Sequence, residues 1–178
     1  MNIKINKMRR SDRAVNDQDW IKEFLSRGMY GVFALSTGDQ PFTNTNLFAY
    51  DETTNGIYFH NAAQGRTPET IKLNDRACFT TSEMERLLPA DEAIEFSVEY
   101  AIVMVFGRVE LLVEDDQRIY GLQLLMDKYF PHHKPGVDYP FIEAEELDGT
   151  AVFKLVIESW SGKQKQVPPE FPGAFYYT

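Results

Sequence analysis

The residues with the clearest capacity for chemistry lie in one stretch, residues 57–79, which holds His60, a glycine–arginine pair and a helix start. Gly65 permits an unusual backbone angle, and Arg66 supplies a fixed fork of hydrogen-bond donors. Thr67-Pro68 predicts a helix with threonine as N-cap and proline at the first helical position. A guanidinium beside free helix N–H groups can bind an anion and suits a phosphate. An ordinary strand–turn–helix with a solvated arginine explains the same residues, and the stretch by itself favours that simpler interpretation.

A second candidate feature is a run of four polar residues, Thr43-Asn44-Thr45-Asn46, inside a segment that should form a core strand. One face of that strand must therefore meet solvent, a partner or a polar ligand. Trp160 follows the last predicted strand. Its flat ring suits either the core or a lid against a planar ligand.

Metal and hydrolase chemistry find little support in the sequence. His132 and His133 are adjacent, so they point apart in an extended chain, and no CxxC or HxxxH spacing accompanies them. The sequence has no nucleophile elbow and no glycine-rich turn of the Rossmann or P-loop kind. Cys78 lies in an apolar strand, where a core role is expected rather than a nucleophilic one.

The composition indicates a folded protein of one domain. With 178 residues, 43% hydrophobic and 13% aromatic, the chain can bury most of its apolar surface. A formal net charge of −9 argues against a nucleic-acid partner, which would need a basic stripe. No apolar run is long enough to cross a membrane or to form a signal core. With one cysteine, we expect a cytoplasmic protein without a membrane partner.

Two helices are predicted with clear ends. The first begins at a cap, Asn16 or Asp17, and ends at Gly28. The second begins at Asp115, where acidic residues suit the positive end of a helix, and stops at Pro131. A weaker helix is predicted at residues 142–147.

Short strands account for most of the remaining chain. They are predicted at residues 30–36, 41–50, 57–60, 76–82, 96–113 and 151–157. Gly107 inside the longest run predicts a bulge, as expected where a sheet curls. We therefore expect an antiparallel barrel or sandwich in a single domain over residues 1–178, with an N-terminal arm at 1–15 and a C-terminal strap at 164–178.

Several segments, taken in order, resemble a known family. They are Met8-Arg9-Arg10-Ser11-Asp12-Arg13, residues 30–35, residues 58–62 with Gly65-Arg66, residues 107–110 and residues 126–131. The chain resembles the pyridoxamine 5′-phosphate oxidase-like flavoproteins with an FMN-binding split barrel, and within them the 5-nitroimidazole-resistance (Nim) branch. The likeness covers about residues 8–163. It implies an α+β fold that is mainly β, a six-stranded antiparallel split barrel with flanking helices, and a homodimer with two flavins between the protomers.

The resemblance also implies a set of cofactor-binding residues. They are Asn44, Thr45, Asn46, His60, Asn61, Gly65, Arg66, Thr67, Ile102, Val103 and Trp160. The first three lie on a strand that would offer backbone groups to the flavin ring, and the loop after His60 would hold the ribityl chain and phosphate. Ile102 and Val103 would approach from the other protomer, with Trp160 near the ring. His60 is the catalytic candidate.

The sequence departs from the family pattern at three places. Thr67 follows the arginine where relatives often carry lysine, Ile102 replaces a polar residue, and the strand around Thr45 is more polar than usual. Phosphate binding is therefore expected to depend on Arg66 and the helix N-terminus. The residues that bind pyridoxine phosphate in true oxidases are not evident, so that activity is not expected.

The function implied by the resemblance is a flavin-dependent oxidoreductase. It would bind FMN, with FAD as the alternative, and reduce a small molecule such as a nitroimidazole. A second hypothesis is a carrier on the same fold that holds flavin or haem without turnover. The absent lysine and the lack of an obvious substrate-binding set are consistent with the carrier, but the oxidoreductase is the leading hypothesis.

Overall fold

Within residues 8–177, which the computed structural model describes, one antiparallel sheet of nine strands carries three α-helices. The strands are β1 (Ala14–Val15), β2 (Gly31–Thr37), β3 (Gln40–Asn46), β4 (Ala49–Asp51), β5 (Gly56–Ala62), β6 (Arg76–Leu88), β7 (Ser97–Leu111), β8 (Thr150–Lys165) and β9 (Phe175–Tyr176). The α-helices are α1 (Gln18–Arg27), α2 (Arg66–Leu73) and α3 (Asp115–Tyr129), and short 3-10 helices span Ser11–Arg13, Ala93–Glu95 and Ala144–Leu147.

The order of strands in the sheet is β3-β2-β6-β7-β8-β5-β4, with β1 added to β8 and β9 added to β6. This confirms the mainly β prediction and the antiparallel split-barrel type. The strand count is nine rather than six for two reasons. The strand predicted at 41–50 breaks at Leu47-Phe48 into β3 and β4, and the two-residue strands β1 and β9 extend the sheet.

The core is a group of stacked aromatic rings inside the curled sheet. The ring centroids of Phe33 and Phe59 lie 3.9 Å apart, and those of Phe59 and Phe153 lie 5.0 Å apart. These side chains are fully buried. The alternation of buried and less buried residues along β2 and β7 places every second side chain in this core, as a half-buried strand requires. The strands that carry the polar residues are therefore fixed by burial of their apolar neighbours.

The predicted bulge in the longest strand is confirmed. The register of β7 with β8 shifts between Phe106 and Gly107. A Cβ atom on Gly107 would lie 1.9 Å from the carbonyl oxygen of Val156, so only glycine allows this approach. The ends predicted for the first and last α-helices are also close to those observed, since Asp17 caps α1, Gly28 ends it, and α3 spans Asp115–Tyr129.

Other boundaries differ from the prediction. β6 continues to Leu88 and β8 to Lys165, so Trp160 lies within β8 rather than after it. The helix predicted at 142–147 is a 3-10 turn, Ala144–Leu147, whose start is closed by the side chains of Glu143 and Glu146. Residues 1–7 of the predicted N-terminal arm lie outside the described residues, and β1 of that arm pairs with β8. No helix in the described part of the chain has both the length and the apolar character needed to cross a membrane.

The residues after β8 are held against the sheet by a buried ion pair. Arg86 donates from Nε and Nη2 to the carboxylate of Glu99, at 2.6 and 2.9 Å. The same guanidinium donates to the carbonyl oxygens of Val167, Pro168 and Pro169. Glu99 is only 2% exposed, and its hydrogen bonds from Arg86 and from the Val167 N–H lower the pKa of its carboxyl to about 2. This ion pair therefore anchors the proline-rich segment that leads to β9.

The break between β3 and β4 is held by the last turn of α3. The Tyr129 hydroxyl accepts from the Phe48 N–H at 3.0 Å and lies 2.7 Å from the carbonyl oxygen of Met29. Lys128 Nζ lies 3.8 Å from the centroid of the Phe48 ring. It is buried without a hydrogen-bond partner in residues 8–177, and this burial lowers the pKa of the Lys128 ammonium to about 8.

We expect Lys128→Met to stabilise the protein at pH 7 by roughly 1–2 kcal/mol, because the charged form of a buried amine is disfavoured and the cation–π contact offsets only part of that cost. The folded pKa of about 8 lies below the ordinary lysine value, so the wild-type protein regains stability as the pH rises from about 8 to about 10.4. Urea unfolding at several pH values measures this difference. A wild-type protein more stable than the variant at pH 7 would contradict it.

Candidate functional site

Three amide side chains and one hydroxyl bridge β3, β5 and α2. Asn44 Nδ2 donates to Asn61 Oδ1 at 3.1 Å and to Thr67 Oγ1 at 2.8 Å. Asn61 Nδ2 in turn donates to Asn46 Oδ1 at 3.0 Å. The backbones of β3 and β5 do not pair with each other. We call these four side chains the amide network. Their hydrogen bonds connect β3 to β5 at the split in the barrel, where no backbone hydrogen bonds join the two strands.

The amide network ends in an unused donor. Asn46 Nδ2 is buried and has no acceptor among residues 8–177. A buried donor without an acceptor costs about 1–3 kcal/mol, so such groups are normally satisfied by a ligand, a partner or ordered water. The residues present fit a ligand with hydrogen-bond acceptors at this point, and a flavin ring with its carbonyl oxygens meets that requirement.

β3 lies at the edge of the sheet and offers its backbone on one side. Among residues 8–177 it pairs only with β2, so within this part of the chain its other edge keeps unpaired N–H and C=O groups. Thr45 is exposed on the face of β3 opposite to Asn44 and Asn46. This geometry suits the prediction that the strand offers backbone groups to a flat ligand.

The start of α2 differs from the sequence prediction. The N-cap is Gly65, and Arg66 is the first helical residue, so the assignment of Thr67 as N-cap and Pro68 as first residue is wrong. Gly65 has φ +123° and ψ −174°, a conformation that is essentially restricted to glycine and that turns the chain into the helix two residues early. The Thr67 hydroxyl is thereby released from capping and joins the amide network.

The first turn of α2 and the side chain of Arg66 form a candidate anion site. The N-cap glycine has no side chain, and the N–H groups of Arg66 and Thr67 therefore have no capping acceptor in the described residues. The Arg66 guanidinium stacks on the ring of Phe42 with its carbon 4.3 Å from the centroid. It makes no ion pair within 4.0 Å in the part of the chain that is described. A stacked, unpaired guanidinium beside a free helix start can receive a phosphate.

His60 does not join the amide network of its own chain. It precedes Asn61 on β5, so the two side chains point to opposite faces of the sheet. His60 pairs across the sheet with Val152, on the face that Tyr58 shares. The residue is exposed, yet partial desolvation of the ring lowers the pKa of the imidazole, which is therefore neutral at pH 7.

Ile102, Val103 and Trp160 take no part in the hydrogen bonds of the amide network within one chain. Val103 is fully buried in the core, whereas Ile102 lies half-buried on the outer face of β7. Trp160 packs on the core, and its Nε1 donates to Gln18 Oε1 at 2.7 Å. The indole is only partly buried, so this packing does not decide between the two alternatives, and a contact of Trp160 with a ligand stays a prediction.

The structure also reveals a pocket that the sequence did not indicate. This α3 pocket, of about 420 Å³, lies between the first half of α3 and the outer faces of β5, β7 and β8. Its walls include Tyr58, Glu110, Leu112, Asp116, Tyr120 and Lys154. None of the predicted site residues lines it. Its charged residues come from three separate elements, so no local motif in the sequence could have marked it.

We expect Thr67→Val to lower the free energy of unfolding by about 1 kcal/mol, because the Asn44 amide loses its acceptor in a partly buried position. Thr45→Val is the matched control, since Thr45 is exposed and its hydroxyl makes no hydrogen bond in residues 8–177. Urea unfolding of both variants measures the difference. Equal losses in the two variants would show that the amide network does not contribute.

Comparison of the sequence with protein families gives one match. Residues 17–164 match the model described as pyridoxamine 5′-phosphate oxidase. No curated protein matches the chain. The family match covers α1 and every strand from β2 to β7, and ends one residue before the end of β8.

Solved structures with similar folds include proteins that bind flavin and haem. A flavocytochrome from Azotobacter vinelandii is 22% identical, with a TM-score of 0.79 over 97% of this chain and 83% of that one. An FAD- and haem-binding protein from Mycobacterium smegmatis is 19% identical, with a TM-score of 0.77 over 89% of this chain and 76% of that one. A candidate 5-nitroimidazole antibiotic resistance protein from Bacteroides thetaiotaomicron is 18% identical, with a TM-score of 0.69 over 85% and 86%. At these identities the likeness is one of fold.

Proposed function

The chain belongs to the pyridoxamine 5′-phosphate oxidase family, and from this premise we propose that it is a dimeric flavin-binding oxidoreductase that reduces a small electrophilic molecule. The observation that carries the proposal is the free start of α2, with the stacked guanidinium of Arg66, next to the amide network at the split between β3 and β5. FMN is the cofactor we propose. FAD contains the same ring and a phosphate at the same position, and it is the alternative.

The phosphate of the cofactor is assigned to the start of α2. Arg66 supplies charge-assisted hydrogen bonds, and the first N–H groups of the helix supply further donors. Thr67 cannot add the positive charge that a lysine would supply at this position, but its hydroxyl holds Asn44 and so fixes β3 relative to α2. Binding therefore depends mainly on Arg66.

The flavin ring is assigned to the free edge of β3. The backbone around Thr45 supplies donors and acceptors, and Asn46 Nδ2 supplies the unused buried donor. When bound, the flavin supplies the electron transfer, and the protein positions it and tunes its electronics. Donors directed at ring oxygens favour negative charge on the ring, because the protein already holds them in the orientation that this charge requires.

We assign His60 a hydrogen-bonding role rather than proton donation to substrate. The lowered pKa of the imidazole leaves it neutral at pH 7, and a neutral ring is a weak acid but can both donate and accept a hydrogen bond. Its position on the face opposite to Asn61 directs it away from the amide network of its own chain. For His60 to contact the flavin, the flavin ring must extend past β5 to the other face of the sheet, or the flavin must be bound between His60 and a second chain.

A homodimer is part of the proposal. On the outer faces of β6 and β7, Met84 is 59% exposed and Met104 is 37% exposed, with Ile102 half-buried between them. A second copy packed on these faces would cover this apolar surface and bring Ile102 towards the flavin of its partner. Trp160 packs against the core of its own chain, and its place near the flavin ring stays part of the proposal.

The absorption spectrum of freshly purified protein tests the function. Flavin bands, with FMN or FAD identified by mass after release, are expected, and apoprotein should take up added FMN. Anaerobic mixing with NADH or NADPH should then bleach the flavin, and a nitroimidazole should reoxidise it. A colourless protein that binds neither FMN nor FAD would refute the proposal.

The second candidate function is a carrier of flavin or haem without turnover. Two proteins of similar fold are described as binding both flavin and haem, and His60 is exposed with a neutral imidazole, the form that ligates iron. A Soret band that disappears in His60→Ala would support haem binding. Flavin that neither NADH nor NADPH can bleach would support the carrier over the oxidoreductase.

A further inference from the structure

The α3 pocket has walls that are rigid and partly aromatic. The rings of Tyr58 and Tyr120 meet at 75° with centroids 5.7 Å apart. Tyr58 is 4% exposed, and Leu112 beside it is also buried. The α3 helix can approach β5 this closely because Gly121 faces Tyr58, where a Cβ atom would lie 2.9 Å from the ring. These contacts give the pocket a fixed apolar corner.

A buried carboxylate holds the two tyrosines in place. Asp51 Oδ2 accepts from the Tyr120 hydroxyl at 3.0 Å and from Thr54 Oγ1 at 2.7 Å. Because the Thr54 proton is used in that bond, Thr54 Oγ1 accepts from the Tyr58 hydroxyl at 3.0 Å. The phenolic groups are thus satisfied within the protein, and the tyrosines present their rings to the pocket.

Three charged side chains around the α3 pocket are unpaired. Glu110, Asp116 and Lys154 make no ion pair within 4.0 Å and no side-chain hydrogen bond in residues 8–177. Glu110 and Lys154 are directly opposite each other on β7 and β8, where oppositely charged residues normally interact. The protein therefore leaves two carboxylates and one ammonium available at the same pocket.

The path of the Lys154 side chain explains why this pair is not made. A Cβ atom on Gly56 would lie 2.5 Å from Lys154 Cε, so the side chain lies across β5 over the glycine. Its Nζ is 5.9 Å from the centroid of the Tyr58 ring. The ammonium is therefore directed towards β5 and away from Glu110 on β7.

We propose that the α3 pocket binds a small zwitterionic molecule with an aromatic or apolar body, of the α-amino acid class. Its carboxylate pairs with Lys154, its ammonium lies between Glu110 and Asp116, and its body packs in the corner formed by Tyr58 and Tyr120. The volume of about 420 Å³ falls in the range of about 300–1,000 Å³ typical of small-molecule sites. This site is separate from the proposed flavin site and does not depend on it.

Charge complementarity distinguishes a zwitterionic ligand from ligands that carry only one of its two charges. A simple cation would satisfy the carboxylates but would leave Lys154 unpaired and close to a second positive charge. A simple carboxylic acid would pair with Lys154 but would face Glu110 and Asp116. Only a ligand with both charges meets all three groups, so each missing charge should cost about tenfold in affinity, or about 1.4 kcal/mol.

Titration calorimetry on the full chain tests the proposal with three matched probes. L-phenylalanine has both charges, phenethylamine lacks the carboxylate, and 3-phenylpropanoate lacks the ammonium. We expect L-phenylalanine to bind about tenfold more tightly than either of the others. NMR shifts of the Leu112 and Tyr120 amides should locate the binding.

Two variants and one control variant test which side chain of the protein contacts each charged group of the ligand. Lys154→Met should lower the affinity for L-phenylalanine about tenfold and should not lower the affinity for phenethylamine. Glu110→Gln should lower the affinity for both of these probes, because both carry an ammonium. Lys134→Met, in the loop after α3, is the control and should change neither. The proposal is overturned if no probe saturates below about 10 mM, if phenethylamine binds as tightly as L-phenylalanine, or if Lys154→Met behaves like the control. Flavin content, measured in the same samples, reports independently on the other site.

Discussion

Replacing Arg66 with glutamate is expected to lower the affinity for FMN by about a hundredfold. One charge-assisted hydrogen bond is worth about 1.5–3 kcal/mol, which corresponds to about 10- to 150-fold in affinity, and the new carboxylate also repels the phosphate. The side chain is exposed and stacks only on Phe42, so the fold should tolerate the change. Fluorescence quenching of free FMN by apoprotein measures the dissociation constant.

Lys72→Glu is the matched control for Arg66→Glu. It makes the same change in charge on the same helix, but in the last turn of α2, where no helix N–H groups are free. Circular dichroism should show both variants folded. If the two variants lose FMN affinity equally, the loss reflects net charge, and the assignment of the phosphate to the start of α2 is wrong.

Replacing Glu99 with alanine is expected to lower the free energy of unfolding by about 3 kcal/mol at pH 7, because it leaves the guanidinium of Arg86, whose side chain is 16% exposed, without its counter-charge. The segment at Val167 also loses an acceptor for its N–H. Glu158→Ala is the control. It breaks an exposed pair with Arg76, which should contribute little.

The effect of Glu99→Ala should depend on pH in a known direction. The folded carboxyl has a pKa of about 2, below the ordinary glutamate value of about 4.3. Its contribution to stability is therefore complete above about pH 4.3 and is lost as the pH falls towards 2. Thermal unfolding of wild type and variant should converge over this interval. A constant difference down to pH 2 would contradict the ion pair as the cause.

The sequence predicted those elements whose signals are local. Asp17 and Gly28 mark the ends of α1 through capping and backbone freedom, and Gly107 marks the bulge in β7 because no side chain fits there. These features depend on a few adjacent residues. The family resemblance added the split-barrel type, which composition alone left open between a barrel and a sandwich.

Elements fixed by distant contacts were not predicted. The break at Leu47-Phe48 depends on Tyr129, which lies far along the chain, and the residues at the break carry no turn signal of their own. At this break, local preference yields to tertiary structure. The early start of α2 has a local cause instead, because Gly65 adopts a conformation that is essentially restricted to glycine, and the Thr67-Pro68 pair predicted a later start.

The candidate site was predicted in part. The resemblance placed Asn44, Asn46, Asn61 and Thr67 in one site, and the structure joins them by hydrogen bonds. Adjacency on a strand already separates His60 from Asn61, but the sequence could not show which face of β5 carries the amide network, because the packing of β5 and α2 decides that. The unpaired charges of the α3 pocket also depend on how β7, β8 and α3 meet.

The position of β8 in the sheet has a consequence for the order of folding. β8 lies between β7 and β5, so the group β3-β2-β6-β7 and the pair β5-β4 have no shared strand until β8 forms. β8 is also the last long strand of the described chain to be synthesised. During translation, two separate sheet fragments therefore keep exposed edges until β8 has been synthesised. The pairing of β8 with both β7 and β5 is non-local and is expected to be slow. Refolding should accordingly show a late, concerted step that completes both fragments together.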